Sequence, residues 1–253
     1  MTRIRAGAIA LLLTAGTGVA LASALGSVDA ASKPVATPAP VAAPVSPATS
    51  FVMHAYDDLV NRPADTSGLA YWVGQVNAGM PHTTVAANLA NTGDYRNLIV
   101  TNAYMDVLRR EPDAGGLTYW MGYLAKGGGV EQLTGALVGS SEYTSMFGTQ
   151  YDAFVKAAYM TILQRTPDAG GEAYWVGRLG AGAPMWNVAA SISHTPEWYS
   201  NRVTFDYAHY HIGTPDQGGL LYWAGRMQHG MPESQLAASL VGSGAYATWA
   251  AAH

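Results

Sequence analysis

The hydrophobic positions along the chain follow helical spacing, and the same pattern occurs four times. The copies align on a tryptophan that ends an eleven-residue motif, which reads REPDAGGLTYW at Arg110–Trp120 in the second copy. The four tryptophans, Trp72, Trp120, Trp175 and Trp223, lie 48, 55 and 48 residues apart. A period of this length is typical of a small helical repeat unit.

Each copy predicts three helices. Before the motif, apolar residues recur three and four positions apart, as in Phe154–Leu163, and predict a first helix. After the Pro-Asp turn, Leu117, Trp120 and Leu124 lie on one face of a second helix. A glycine seven residues after each tryptophan is the expected end of that helix. A third apolar stripe follows, for example at Leu133.

The spacing between copies predicts how they are joined. Nine residues separate Tyr95 from Tyr104, so the last helix of the first copy can run into the first helix of the second. Sixteen residues separate the corresponding Tyr143 and Tyr159. The predicted fold is therefore all-α, with four tandem three-helix repeats of roughly 50 residues. We expect them to pair into two lobes at residues 51–146 and 151–253.

The N-terminal sequence predicts export. Two arginines precede the apolar run Ala8–Leu21, and small-x-small cleavage sites follow at residues 22–24 and 28–30, which indicates a signal peptide over residues 1–30. The alternative is an uncleaved signal anchor, because Ala6–Gly26 is long enough to cross a bilayer. In both cases we expect the rest of the chain to be secreted or cell-wall associated, with no further membrane span.

Residues 31–50 are dominated by Pro, Ala, Val, Ser and Thr. Such a composition cannot bury a core and predicts an extended, semi-rigid linker. Two interpretations remain open. The segment is either a tether that holds the folded part away from a membrane or cell wall, or a leader left over after processing.

The composition argues against several classes of function. Only 12% of residues are charged and the formal net charge is −4, so no basic field for nucleic acid is expected. The absence of cysteine removes disulfides, cysteine zinc sites and thiol catalysis. Neither a nucleophile elbow nor a recurring carboxylate pair occurs, so we expect no catalytic residue and no cofactor. His209 and His211 face apart on a helix, so we expect no metal site.

An aspartate follows the proline of each motif, one position later in the first copy. Its position predicts an N-cap whose carboxylate accepts hydrogen bonds from backbone N–H groups at the start of the second helix. A calcium loop would need six to eight oxygen ligands, whereas each loop offers a single carboxylate followed by small residues. The predicted N-caps are Asp65, Asp113, Asp168 and Asp216.

The Tyr-Trp pair at the end of each motif is the main candidate for ligand contact. The tryptophan lies on the apolar stripe, so we expect it in the core. The tyrosine before it points about 100° away on a helix and is expected to be exposed. The candidate ligand-binding residues are Tyr71, Tyr119, Tyr174 and Tyr222.

A glycine lies two residues after each tryptophan, in the middle of the second helix, at Gly74, Gly122, Gly177 and Gly225. Glycine is costly at such a position, so its recurrence requires a reason. We expect another helix to pack closely against it. The alternative is a ligand that approaches the backbone.

The fourth copy suggests a set of ion pairs. In the first three copies an arginine stands ten residues before the tryptophan and an acidic residue twenty-two after it. The fourth copy has Gly213 and Ala245 instead, so both charges are lost together. The hypothesis is that they pair and link the first turn to the end of the third helix. The predicted structural ion pairs are Arg62–Asp94, Arg110–Glu142 and Arg165–Glu197.

The motif, followed by Gly and then by Ser-x-Glu-Tyr as at Ser140–Tyr143, resembles the domain of unknown function 4214 family. The resemblance covers residues 51–253. It implies an all-helical fold similar to the phycobilisome linker domain, in repeats of bacterial secreted and surface proteins, and brings no catalytic residues. The chain departs from the family pattern at Gly213, Glu172 and Ser243–Tyr246, and the last of these departures suggests that the fourth copy is a degenerate terminal repeat.

These observations predict a non-catalytic structural or interaction module at the cell envelope, with a protein or glycan partner. The alternative is a cell-wall glycan-binding module that uses the exposed tyrosine beside each tryptophan. An enzyme would need a polar pocket between the lobes, which the spacing does not predict.

Overall fold

The computed structural model describes residues 45–253, all of whose regular structure is helical. The predicted signal peptide and residues 31–44 of the predicted linker lie outside the described residues. The helices are α1 (Pro47–Val60), α2 (Thr66–Asn77), α3 (His82–Ala90), α4 (Gly93–Leu108), α5 (Ala114–Ala125), α6 (Val130–Val138), α7 (Ser141–Thr144), α8 (Tyr151–Leu163), α9 (Ala169–Gly180), α10 (Met185–Ser193), α11 (Pro196–His209), α12 (Gln217–Gln228), α13 (Glu233–Val241) and α14 (Gly244–Ala252).

The prediction of an all-α tandem repeat is confirmed. Copy one consists of α1–α3, copy two of α4–α6, copy three of α8–α10 and copy four of α11–α13. Helices α4 and α11 each run without a break from the end of one copy into the next, whereas residues 145–150 separate α7 from α8.

The predicted C-terminal bound of the linker, residue 50, is wrong, because α1 begins at Pro47 and residues 47–50 are helical. Ser46 is the N-cap and its side chain accepts a hydrogen bond from the Thr49 backbone N–H at 3.2 Å. Pro47 follows at the first helical position, where its missing N–H costs nothing. The composition of residues 31–50 is typical of a linker, but Ser46 and Pro47 within it form the start of α1.

The third helices of the copies hold the molecule together. Helix α3 packs on α13 and α6 packs on α10, so the buried residues of all four copies form one continuous core. A Cβ atom at Gly139 would lie 2.6 Å from the Trp186 Cα atom, and one at Gly242 would overlap the Thr83 backbone. Both glycines have ordinary negative φ angles, so the reason for them is close approach of the facing helix.

The end of the chain packs on its beginning. The Tyr246 hydroxyl of α14 donates to Asp58 of α1 at 2.6 Å, and its ring meets Phe51 edge-on. The corresponding Tyr143 of α7 hydrogen-bonds Thr161 of α8 at 2.9 Å. Helix α14 thus takes the place on copy one that α7 takes on copy three, and the four copies close into a ring. None of the helices in residues 45–253 combines the length and hydropathy needed to cross a membrane.

Candidate functional site

The predicted N-cap aspartates lie at the first turn of the second helix in every copy. Each carboxylate accepts a hydrogen bond from a glycine N–H three residues later, at 2.9, 2.9, 2.8 and 2.7 Å for Asp65, Asp113, Asp168 and Asp216. The bond from Gly116 lowers the pKa of the Asp113 carboxyl, and the bond from Gly171 does so for Asp168. These carboxylates are therefore engaged with the backbone.

The same glycine explains the tyrosine sixteen residues before each tryptophan. In copy one the Trp72 indole N–H donates to the Tyr56 hydroxyl at 3.2 Å, and a Cβ atom on Gly68 would lie 2.9 Å from that hydroxyl. In copy three the Trp175 indole donates to Tyr159 at 3.2 Å. In the first three copies a side chain at this glycine would crowd the tyrosine hydroxyl, since its Cβ atom would lie 3.0 Å or less from that oxygen.

The structure brings together all three predicted ion pairs. The shortest distance between an arginine nitrogen and a carboxylate oxygen is 2.9 Å for Arg62–Asp94, 2.6 Å for Arg110–Glu142 and 2.5 Å for Arg165–Glu197. The acidic residue lies in the first turn of α4, α7 or α11, one element beyond the predicted end of the third helix. Each guanidinium also lies 5.3–5.5 Å from the ring centroid of the tyrosine sixteen residues before the tryptophan, which is Tyr56, Tyr104 or Tyr159. Hydrogen bonds from arginine lower the pKa of Glu142 and Glu197.

The tyrosines predicted to contact a ligand are exposed in all four copies. Their exposed fractions are 55% for Tyr71, 65% for Tyr119, 55% for Tyr174 and 53% for Tyr222. Each ring meets the ring of the following tryptophan edge-on, at centroid distances of 4.8–5.0 Å. Trp120 is buried and the other three tryptophans are half-buried against the core. The contact with the tryptophan therefore holds the exposed tyrosine ring in position.

The expectation that a helix packs against the mid-helix glycines is wrong. A Cβ atom built on Gly74, Gly122, Gly177 or Gly225 would meet nothing within 4 Å. Each glycine follows an exposed tyrosine by three residues, so the two share a helix face. We call the pairs Tyr71/Gly74, Tyr119/Gly122, Tyr174/Gly177 and Tyr222/Gly225 the Tyr–Gly faces.

The model of the family described as "Domain of unknown function (DUF4214)" matches residues 45–99, 96–147 and 134–201. The chain belongs to the DUF4214 family. No curated protein and no solved structure matches it. The three DUF4214 matches end at residue 201, short of the resemblance to residue 253 that the motif suggested. Most of copy four lies beyond them, and two further features of the molecule are found there.

The first feature is a groove of about 580 Å³ on copy four, which includes its Tyr–Gly face. It is lined by Tyr222, Gly225, Arg226, His229, Gly230, Met231, Pro232 and Gln235. The Arg226 guanidinium donates to the Tyr222 hydroxyl at 3.4 Å. The His229 Nδ1 atom lies 2.7 Å from the Gly225 carbonyl and donates to it, because a carbonyl oxygen only accepts.

The second feature is a buried charged cluster that the sequence pattern did not predict, formed by Arg202, Asp206 and Glu233. Arg202 pairs with Asp206, with 3.1 Å between its Nη2 and the Asp206 Oδ1, and also pairs with Glu233. The Asp206 side chain is fully buried, and the rings of Tyr95 and Tyr210 lie among the same residues. Burial raises the pKa of the Asp206 carboxyl well above its usual range, and the Arg202 guanidinium opposes that rise.

A signal for this cluster was present in the DUF4214 repeat itself. Positions 21 and 17 before the tryptophan are apolar in the first three copies, for example Ile99 and Ala103 in copy two, but are Arg202 and Asp206 in copy four. Ten residues after the tryptophan, Val130 of copy two becomes Glu233. Position-by-position comparison of the copies shows these changes, whereas helical periodicity does not.

Asp206→Asn tests the charge state of the cluster. The pKa of Asp206 in the folded protein lies above the ordinary value of 3.8. At a pH between the ordinary value and the folded pKa, folding takes up a proton, so the free energy of unfolding decreases as the pH rises through this range. We expect the stability of Asp206→Asn relative to wild type to increase with pH between about pH 4 and the folded pKa of Asp206, by at most about 1.4 kcal/mol per pH unit. Urea unfolding from pH 4 to 8 measures it. A difference that stays constant with pH would show that Asp206 is ionised in the folded protein.

Proposed function

We propose that this DUF4214 protein is a non-catalytic interaction module of the cell envelope, exported by its N-terminal signal, and that its Tyr–Gly faces bind a glycan. One observation carries the proposal. The Arg, Asp and Tyr residues that recur in the first three copies make contacts within the protein, whereas the second tyrosine and the mid-helix glycine face open space. No packing contact accounts for the recurring glycine, and more than half of each recurring tyrosine is exposed.

The chemistry around each Tyr–Gly face suits a sugar. A flat tyrosine ring offers an apolar surface with a polar tip, and the neighbouring glycine lets a ligand reach the helix backbone. Hydrogen-bonding side chains stand at two places beside the face of copy four. These are Arg226, directly after the glycine, and Gln235 in the third helix, and both line the groove with Tyr222. The positions equivalent in sequence also carry hydrogen-bonding side chains, which are Gln75, Tyr123 and Arg178 for the first and Thr84, Gln132 and Asn187 for the second. A ring with a few polar groups around it is the usual composition of a small-ligand site.

A protein partner is the second candidate. Trp186 is 59% exposed, and large exposed aromatic side chains are enriched at protein interfaces. It lies at the start of α10, away from the motif tyrosines in sequence. This residue therefore separates the two candidates experimentally.

Sedimentation of the purified protein with isolated cell-wall polysaccharide tests the glycan proposal. We expect the protein to be retained in the pellet. The Tyr119→Ala/Tyr174→Ala variant is expected to lose most of this retention, because it lacks the exposed rings of two of the four contact faces while the core tryptophans remain. Helical circular dichroism checks that the fold is intact. The matched control is Trp186→Ala, which removes an equally exposed ring outside the Tyr–Gly faces.

The outcomes separate the two candidates. Retention that survives the double tyrosine variant, or no retention at all, would contradict the glycan proposal. Loss of retention in Trp186→Ala alone would place the polysaccharide-binding surface at α10 and contradict a role of the Tyr–Gly faces.

A further inference from the structure

The groove on copy four differs in charge from the protein as a whole. The chain has a net charge of −4, but the residues that line this groove include Arg226 and His229 and no acidic side chain. The nearest acidic residue in sequence, Glu233, is turned inwards and paired with Arg202. Its charge is thus neutralised in the core, and the groove presents an unopposed guanidinium.

The groove also holds that guanidinium beside a flat ring. The Arg226 guanidinium lies 5.8 Å from the centroid of the Tyr222 ring, and it donates to the Tyr222 hydroxyl at 3.4 Å. Because His229 donates through Nδ1 to the Gly225 carbonyl at 2.7 Å, its Nε2 atom remains as a second nitrogen for a ligand. A sugar ring placed on Tyr222 would have both groups within reach of a substituent.

We propose that this groove binds a carboxylate-bearing sugar unit of an acidic polysaccharide. Arginine recognises carboxylates through two parallel charge-assisted hydrogen bonds, and a groove of about 580 Å³ falls in the size range of small-ligand sites. The inference rests on the proposed function and adds to it a charge preference and a primary site. The other copies lack this combination, since the equivalent positions are Gln75/Ala78, Tyr123/Lys126 and Arg178/Ala181.

Polygalacturonate serves as the probe, and its fully methyl-esterified form is the matched ligand without charge. The purified protein is expected to bind polygalacturonate at least tenfold more tightly than the ester in affinity electrophoresis, and more weakly as salt increases. Arg226→Gln is expected to weaken polygalacturonate binding about tenfold, because it removes one charge-assisted hydrogen-bonding group. Lys156→Gln changes the net charge equally on α8, far along the chain, and is expected to bind as wild type does.

Each outcome decides one of the two proposals. Equal binding of polygalacturonate and its ester overturns the charge preference and leaves glycan binding in place. Equal weakening by Arg226→Gln and Lys156→Gln overturns the groove as the site and indicates general charge attraction. Absence of binding to both polymers and to cell-wall polysaccharide overturns the glycan function together with this inference.

Discussion

Arg202→Met is expected to lower the free energy of unfolding at pH 7 by about 3–5 kcal/mol, because it leaves buried carboxyl groups without their positive partner. Asp206 and Glu233 both contact the Arg202 guanidinium, and both side chains are almost completely buried. Water cannot replace that partner in the folded state. Urea unfolding followed by circular dichroism measures the loss.

The repeat itself supplies the control. Exchanging all three charged residues for those of copy two gives Arg202→Ile/Asp206→Ala/Glu233→Val, the side chains found at Ile99, Ala103 and Val130. We expect this variant to be as stable as wild type or more stable by about 1–4 kcal/mol, as other buried ion clusters are when replaced by apolar residues. A triple variant less stable than wild type would show that the cluster contributes net stability.

Gly242→Ala is expected to destabilise the protein by about 1–3 kcal/mol, the usual cost of overpacking a tight contact. The new methyl group would overlap the backbone of Thr83, so α13 and α3 would have to separate. Gly139→Ala is expected to act in the same way at the contact between α6 and α10, against Trp186. Thermal unfolding of the two variants measures the cost.

Gly122→Ala is the matched substitution, because its methyl group would meet nothing within 4 Å. Alanine has the higher helix propensity, so we expect a gain of up to about 1 kcal/mol. Equal destabilisation by Gly122→Ala and Gly242→Ala would contradict the packing argument. A stabilised Gly122→Ala that binds polysaccharide less well would agree with a role of the Tyr–Gly faces in binding.

Copy four combines the two departures from the repeat. Its core positions carry the charges of Arg202 and Asp206, and its surface carries the groove around Tyr222. Glu233 links them, since it adjoins Pro232 of the groove and points to Arg202 in the core. Copy four, most of which lies beyond the family matches, thus combines a buried charged cluster with a groove that has no acidic lining.

Repetition made part of the site predictable. Arg110 and Glu142 are 32 residues apart in the chain, and helical periodicity does not predict a contact at that separation. The pair was predictable because the arginine and the acidic residue recur at fixed positions in the first three copies and are both missing from the fourth. The cluster at Arg202 carried the same kind of signal, because its positions on the first helix are apolar in copies one to three.

The sequence by itself determined the presence of four copies, the three helices of each copy and the aspartate N-caps of the second helix. Those features depend on residues close together in the chain, whose spacing shows which of them share a helix face or a turn. The tertiary structure alone decided the rest: the pairing of α3 with α13 and α6 with α10, the closure of α14 on α1, and the open space above Gly122. These depend on which helix lies opposite, and that is set by packing between copies that spacing within a copy does not record.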